Sequence, residues 1–406
     1  MTDRDFDIAI VGGGLVGSAL ALVLARAGLS VALLDRVAAE TRAAPDFDGR
    51  AYAVALGSSR LLAVAGLWAR LAPQAQEIRD IEVGEGAGSP ALLHFDPRGL
   101  VERPVGWIVE DHHLRLALLE ALAAPEAGAT HLAPAAVASV DYAPGAARIA
   151  LEDGRAITAR LAVAADGRRS ALAAAAGIGR IGWSYAQTGL VAAVAHEAEH
   201  GGLAHQSFFP GGPFAVLPLT GRRSAIVWSE EAGRAAALMR LGEDAYLAEL
   251  RRRIGPRLGR LALIGRRWAY PLDLTLAERY AAPRLALVGD AAHGVHPIAG
   301  QGMNMGLRDV AALAEVLVEA ARRGEDIGAI DVLRRYEAWR RFDAGCLALG
   351  MDALNRLFSN ASGALSVLRQ AGLAAVGASP ALGRALMREA EGLAGEVPRL
   401  MRGEPL

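Results

Sequence analysis

The stretch that decides the fold is Phe6-Asp7-Ile8-Ala9-Ile10-Val11-Gly12-Gly13-Gly14-Leu15-Val16-Gly17. Phe6 to Val11 is a short apolar run of the kind a buried strand presents. Leu15 to Ala27 is rich in alanine and leucine, favours helix, and stops at Gly28. Val31 to Leu34 is a second apolar strand, ending at Asp35. Strand, glycine turn, helix and strand make a βαβ opening. Gly12 permits the tight turn, Gly14 lets a backbone approach a pyrophosphate, and Gly17 lets helix and strand pack closely. The start of the helix, at Leu15 and Val16, offers free N–H groups and about half a positive charge to phosphates. Asp35, followed by Arg36, is placed to accept ribose hydroxyls. These residues predict a dinucleotide site and leave open which dinucleotide.

Two later motifs follow apolar strands in the same way. Leu161 to Ala165 runs into Asp166-Gly167, which by itself is also a common turn. Leu285 to Val288 runs into Gly289-Asp290-Ala291-Ala292-His293, then His296-Pro297-Ile298-Ala299-Gly300-Gln301-Gly302-Met303-Asn304-Met305-Gly306. A helix is expected from about Gly302. His293 and His296 sit among glycine and proline with no carboxylate in step. They read as loop-packing residues, and no metal site is expected.

Further along, Gly189–His196, Ala204–Phe209, Phe214–Leu219 and Ser224–Trp228 read as strands separated by glycine and proline. They predict an antiparallel sheet interrupting the βαβ pattern. Arg60–Leu71 and Leu114–Leu122 read as helices, Ala38–Gly49 as a loop containing Pro45, and the chain beyond Gly302 as mostly helical. The class is therefore α/β. A Rossmann-like dinucleotide domain is expected over 1–75, 100–178 and 275–325, an inserted substrate domain over 76–99 and 179–274, and a helical C-terminal region over 326–406.

Composition sets limits. The 43 basic and 44 acidic residues leave a net charge of −1, which argues against nucleic acid as a partner. Every basic residue is arginine, so chemistry needing a catalytic lysine is excluded. The one cysteine, Cys346, permits no intrachain disulfide, fits a reducing cytoplasm, and is expected to be a buried thiol. A mean hydropathy of +0.25 leaves a peripheral attachment to the inner membrane open.

The three motifs in this order resemble the class A flavoprotein monooxygenases, which share the fold of para-hydroxybenzoate hydroxylase. The resemblance is nearest to the ubiquinone-biosynthesis hydroxylase family. It runs through Asp48-Gly49-Arg50, Ser58 with Leu62, Gly66, Leu67 and Trp68, and Gly212-Pro213-Phe214-Ala215-Val216-Leu217-Pro218-Leu219. It continues through Gly289 to Gly302, Leu357-Phe358-Ser359-Asn360 and Gly392 to Gly395. Where the family shows Val-Glu-Asn-Arg-x-Leu-Arg, this chain has Val109-Glu110-Asp111-His112-His113-Leu114-Arg115, and Ser207 replaces an arginine.

The resemblance implies FAD as cofactor and NAD(P)H as reductant. FAD would be held by Gly12, Gly14, Leu15, Val16, Gly17, Asp35, Arg36, Arg50, Arg115, Asp166, Gly167, Gly289, Asp290, Pro297, Gly300, Gly302, Met303 and Asn304. Pro297, Gly300 and Gln301 would border the reacting centre. It implies O2 and a lipophilic polyprenylated phenol as substrates, hydroxylated through a flavin hydroperoxide. Phe208, Phe214 and Leu217 are expected to line an apolar pocket or the sheet core. Hydroxylation of another aromatic substrate, or prenyl reduction, is an alternative on the same fold. Membership of a biosynthetic assembly is another, through an apolar stripe of Leu365, Leu368, Leu373, Val376, Leu382, Leu386 and Leu393.

Overall fold

The computed structural model describes residues 5–44, 47–86, 93–95, 104–360, 369, 372, 376 and 379–406. The first apolar run forms β1 (Phe6–Val11), with Ile8, Ala9 and Ile10 fully buried. The helix α1 (Leu15–Arg26) and β2 (Val31–Leu34) follow. β1 lies between β2 and β11 (Ala156–Ala164), parallel to both. β8 (Ala129–Leu132) continues the sheet beyond β2, and β18 (Leu285–Leu287) continues it beyond β11, again in parallel. Gly12, Asp35, Asp166 and Gly289 therefore all follow the carboxyl ends of neighbouring parallel strands, the edge where open α/β sheets take ligands. A hairpin of β9 (Val137–Ala143) and β10 (Ala146–Leu151) pairs with β11, and β17 (Ala281–Ala282) pairs antiparallel with β18.

The second sheet is built on β12 (Arg180–His196), β13 (Leu203–Phe209), β14 (Gly212–Leu219), β15 (Arg223–Glu231) and β16 (Leu261–Ala277). β19 (His293–Gly294), β5 (Asp80–Glu85) and β6 (Leu93–Phe95) complete the order β19-β16-β12-β15-β14-β13-β5-β6. All pairs are antiparallel except β13 with β5, because β5 enters from a distant segment rather than through a hairpin. β12 starts at Arg180, well before the predicted Gly189, since its half-exposed first part carries no apolar run to announce it. One face of the sheet packs Leu190, Phe214 and Trp228 against Tyr246 and Leu250, below α5 (Ala232–Met239) and within α6 (Glu243–Ile254). The other face meets a third, small sheet of β3 (Ala51–Ala55), β4 (Gln76–Ile78) and β7 (Gly106–Glu110).

Four other helices matter to the site: α2 (Ala39–Arg42), inside the predicted loop, α3 (Leu56–Val64), α4 (Asp111–Ala123) and α7 (Gln301–Arg322), mostly buried and packed on α1. The long α8 (Ile330–Phe358) leaves Phe342, Leu349 and Leu354 exposed, and α9 (Pro380–Ala390) leaves Leu382 and Leu386 so. Ser379 caps α9 through the N–H of Leu382. Cys346, expected to be buried, is exposed on α8, because it falls on the helix face away from Tyr336, Ala344 and Met351. Leu365, Leu368 and Leu373, like Pro45, lie outside the described residues. Among the described residues no helix is long and apolar enough to cross a membrane.

Candidate cofactor and active site

The glycine turn is packed on three sides and open on one. A Cβ at Gly12, whose φ is +116°, would lie 2.2 Å from the Ala165 carbonyl oxygen, and one at Gly17 would lie 2.0 Å from that of Gly12. At Gly13 it would meet the Asp35 carboxylate at 2.3 Å, whereas at Gly14 it would meet nothing within 4 Å. Gly14 caps α1 without a side-chain hydrogen bond, so the first N–H groups of the helix face a cavity of about 170 Å³. Leu15, Arg42, Arg50, Tyr52 and Arg115 line it. Space above an uncapped helix start, ringed by arginines, fits a pyrophosphate.

The charged residues around this cavity are paired with one another. Asp35 is 1% exposed, accepts from Arg42 Nη2 at 2.9 Å and from Arg42 Nε, and takes the Val37 N–H at 3.0 Å. Arg42 was not foreseen, because nothing in its loop marks it as a partner. Arg36 is exposed. Arg50 donates to Asp48 at 2.7 Å and to Asp111 at 3.0 Å, and lies 5.0 Å over the Trp268 ring. Its two carboxylates outweigh burial and hold its pKa above the ordinary arginine value. Arg115 donates to Asp111 at 2.6 Å and to the carbonyl of Arg42. The aspartate in place of the family's asparagine thus holds both predicted arginines.

The third motif meets the first. Gly289 and Gly306 both close on the Val16 side chain, which a Cβ would approach to 3.3 and 2.7 Å. Gly289 has φ +60°, and its N–H is held by Asp309 at 2.9 Å. Asp309 is fully buried and also accepts from His293 at 2.6 Å and Arg340 at 2.8 Å. Burial pushes its carboxyl up, but His293 and Arg340 together outweigh this and hold it below the ordinary value. Asp290, partly exposed, pairs with Arg168 at 3.0 Å. Arg168 also reaches Asp273 at 2.6 Å and the carbonyl of Val295 at 3.1 Å, tying the second motif to the third. It stands two residues beyond Asp166, the only signal the sequence offered.

Asp166 itself turns one carboxylate oxygen to the N–H groups of Ala171 and Leu172, capping a short helix, and Gly167 adopts φ +87°. Gly300 is left-handed at φ +61°, and no side chain caps α7 behind it. Gln301 is buried, while Pro297, Gly302 and Met303 are half-buried. Asn304 spends its side chain on protein contacts: Oδ1 accepts from Ala55 N–H and Ser58 Oγ, and Nδ2 donates to Ala53 and Gly300 carbonyls. It clamps the loop rather than offering that amide to a ligand. His296 is buried edge-on to Tyr185 at 5.2 Å, and burial, with Arg168 adding to it, pushes its pKa down to about 4.

Phe208, Phe214 and Leu217 do not share one pocket. Alternation and register put Phe208 and Leu217 on one face and Phe214 on the other, where it is core against Trp228. Phe208 packs on Phe358 at 4.1 Å. Ser207 is buried and hydrogen-bonded to His205. One grouping went unforeseen: Glu110, His112 and His113 stand together where β7 meets α4.

An uncapped helix start at each end, joined through Val16, with a glycine cradle at one of them, fits an extended dinucleotide. Residues 5–342 match the family described as FAD binding domain, and the chain belongs to that family. Within it the chain belongs with the ubiquinone-biosynthesis hydroxylases. It is 47% identical over 407 residues to ubiquinone hydroxylase UbiL of Rhodospirillum rubrum, covering 100% of this chain and 94% of that protein. To 3-demethoxyubiquinol 3-hydroxylase of Escherichia coli it is 36% identical over 395 residues, covering 97% and 100%. The crystal structure of p-nitrophenol 4-monooxygenase PnpA from Pseudomonas putida superposes with a TM-score of 0.80, over 97% of this chain and 100% of that one. At 20% identity it speaks for the fold alone.

Proposed function

We propose that this chain is an FAD-dependent monooxygenase that places one oxygen atom of O2 on the aromatic ring of a polyprenylated phenol during ubiquinone biosynthesis, with NAD(P)H as electron donor. Whole-length similarity to the two ubiquinone hydroxylases supports the reaction class. One structural observation supports the place of the substrate. Across the second sheet Trp268, Val191, Val227, Ala215, Gln206 and Val83 stand side by side in register. All six are half-buried, while Leu190, Trp228 and Phe214 on the opposite face are buried. The row carries no charge and lies on the face that meets Ala51, Ala53 and Ile108 of the small sheet, beside Gly300. It offers a ring and an apolar chain a floor.

When bound, FAD supplies electron transfer and oxygen activation. The chain supplies the rest. Gly12, Gly14, Leu15, Val16 and Gly17 would hold the diphosphate, Asp35 and Arg36 the adenosine side, and Arg50 and Arg115 the pyrophosphate edge. Asp166, Gly167, Gly289 and Asp290 would hold the linking chain. Pro297, Gly300, Gln301, Gly302, Met303 and the backbone of Asn304 would border the flavin and exclude water from the ring. The free start of α7 would stabilise negative charge at that border, typically by ~0.3–1 kcal/mol and up to ~2 when partly buried. Residues 1–75, 100–178 and 275–325 would form the FAD-binding unit, 76–99 and 179–274 the substrate unit built on the second sheet, and 326–406 the helical C-terminal region. The exposed Phe342, Leu349, Leu354, Leu382 and Leu386 support a peripheral attachment to the membrane or to a biosynthetic assembly.

The test is anaerobic reduction by NADH or NADPH, then mixing with O2 and a prenylated phenol, with the product weighed by mass spectrometry. A product heavier by one oxygen atom is expected. A product heavier by two hydrogens, as from a prenyl reductase, overturns the reading.

A further inference from the structure

Glu110 ends β7, and His112 and His113 fall in the first turn of α4. One donor atom from each lies within 4.8 Å of the other two. Glu110 Oε2 stands 3.7 Å from His112 Nδ1. Two ligands of a tetrahedral ion, each about 2.0–2.2 Å from the metal, lie about 3.4 Å apart. That edge is already close to ligating length, and the half-buried His113, stacked on His112, would swing off that ring to bring its nitrogen onto the same ion. His112 Nδ1 is buried without a hydrogen-bond partner, a cost that a coordinated ion removes.

The supporting contacts are those a ligand set needs. The other oxygen of Glu110 accepts from Arg223 Nη2 at 2.7 Å, which leaves Oε2 turned to the histidines. The His112 ring packs on Phe47 at 6.0 Å, a contact that remains when His113 turns to the ion. Asp48 and Asp111 face the histidines together with Arg115 and Arg223, so the fixed charges around Glu110 roughly balance. His112 also marks one of the places where the chain departs from the family pattern, which has arginine there.

We propose that Glu110, His112 and His113 bind one divalent transition-metal ion of the Zn²⁺ class, with water completing the coordination. Two imidazoles and one carboxylate favour Zn²⁺ over Mg²⁺ or Ca²⁺, which take oxygen ligands. The ion pins the end of β7 to α4 beside Asp111, the residue that holds Arg50 and Arg115 at the glycine cavity.

The test uses the FAD-loaded protein, stripped of metal by a chelator and dialysed, then titrated calorimetrically with Zn²⁺ or Mg²⁺ in a non-coordinating buffer. One saturable Zn²⁺ site per chain is expected, with no Mg²⁺ binding there. His113→Ala leaves the Glu110–Arg223 pair in place and should weaken Zn²⁺ binding by more than the roughly 10–100-fold that loss of a supporting contact costs. His113→Cys, which restores a ligand, should recover it, and carries the test if the alanine variant does not fold. Absence of saturable Zn²⁺ binding, or equal binding by wild type and His113→Ala, overturns the proposal.

Discussion

A methyl group at Gly14 should separate cofactor binding from folding. Gly14 has φ −73°, open to any residue, and a Cβ there meets no protein atom within 4 Å. Helix caps prefer glycine to alanine by up to about 1 kcal/mol. Reduced freedom of the unfolded chain offsets about 0.4–1 kcal/mol of that. Gly14→Ala should therefore leave stability within about 1 kcal/mol of wild type. The same methyl stands in the cavity through which, on the proposed reading, a pyrophosphate would approach the free N–H groups of α1. Overfilling a fitted site costs about 1–3 kcal/mol, which is about 5–150-fold in Kd for FAD. Gly17→Ala is the contrast, because its Cβ would lie 2.0 Å from the Gly12 carbonyl oxygen and 3.1 Å from Ala165 Cβ. There α1 has to leave the strand, and the fold itself weakens. The assay is flavin-fluorescence titration of each apoprotein with FAD, alongside urea unfolding of the same samples. Wild-type FAD affinity in a folded Gly14→Ala, or a stability loss equal to that of Gly17→Ala, would refute the reasoning.

Asp309→Asn takes the buried counter-charge from Arg340, 1% exposed, and leaves it only the half-buried Asp343, so it should cost about 3 kcal/mol, the low end for a broken buried pair, in urea unfolding. Adding Arg340→Met should recover part of that loss; an unchanged loss contradicts the pairing. His296 has a folded pKa of about 4, depressed by burial, against about 6.5 unfolded. Its neutral form is thus needed for folding, so its contribution is fully present above about pH 6.5 and is lost as pH falls. Between those values wild type should lose about 3 kcal/mol that a His296→Leu variant does not lose. Ala215→Trp should obstruct the apolar row, raising KM for a long-chain phenol while FAD content stays unchanged; an unaltered KM places the substrate elsewhere.

The parallel core was legible because β1, β2, β11 and β18 are apolar runs, each followed within two residues by a glycine or aspartate: Gly12, Asp35, Asp166 and Gly289. The small sheet escaped notice because β3 and β7 are only five residues each and lie in motifs that draw attention for their charges. The first half of β12 escaped because it is half-exposed and carries no apolar run. Asn304 shows a different limit. Its place at the start of α7 suggested a ligand contact, but four hydrogen-bond partners up to 251 positions away take its amide, and only the packed chain reveals them.

Charge pairing is the part of the site that sequence hides most completely. Arg50 and Arg115 read as cations waiting for phosphate, and the fold adds Arg42 beside them, yet Asp35, Asp48 and Asp111 already hold all three. The groove is therefore close to neutral, not a positive hole. A pyrophosphate entering it competes with ion pairs rather than with water, and gains less from each arginine than an unpaired cation would give. What remains unopposed is the partial charge of the uncapped α1, fixed in direction and needing no partner to release it. On this reading the backbone at Gly14 would carry the recognition of phosphate, with the arginines fixing the walls around it. The glycines are accordingly the more informative half of the motif, since their spacing reports a backbone geometry, while an arginine's spacing says nothing about which carboxylate has already claimed it.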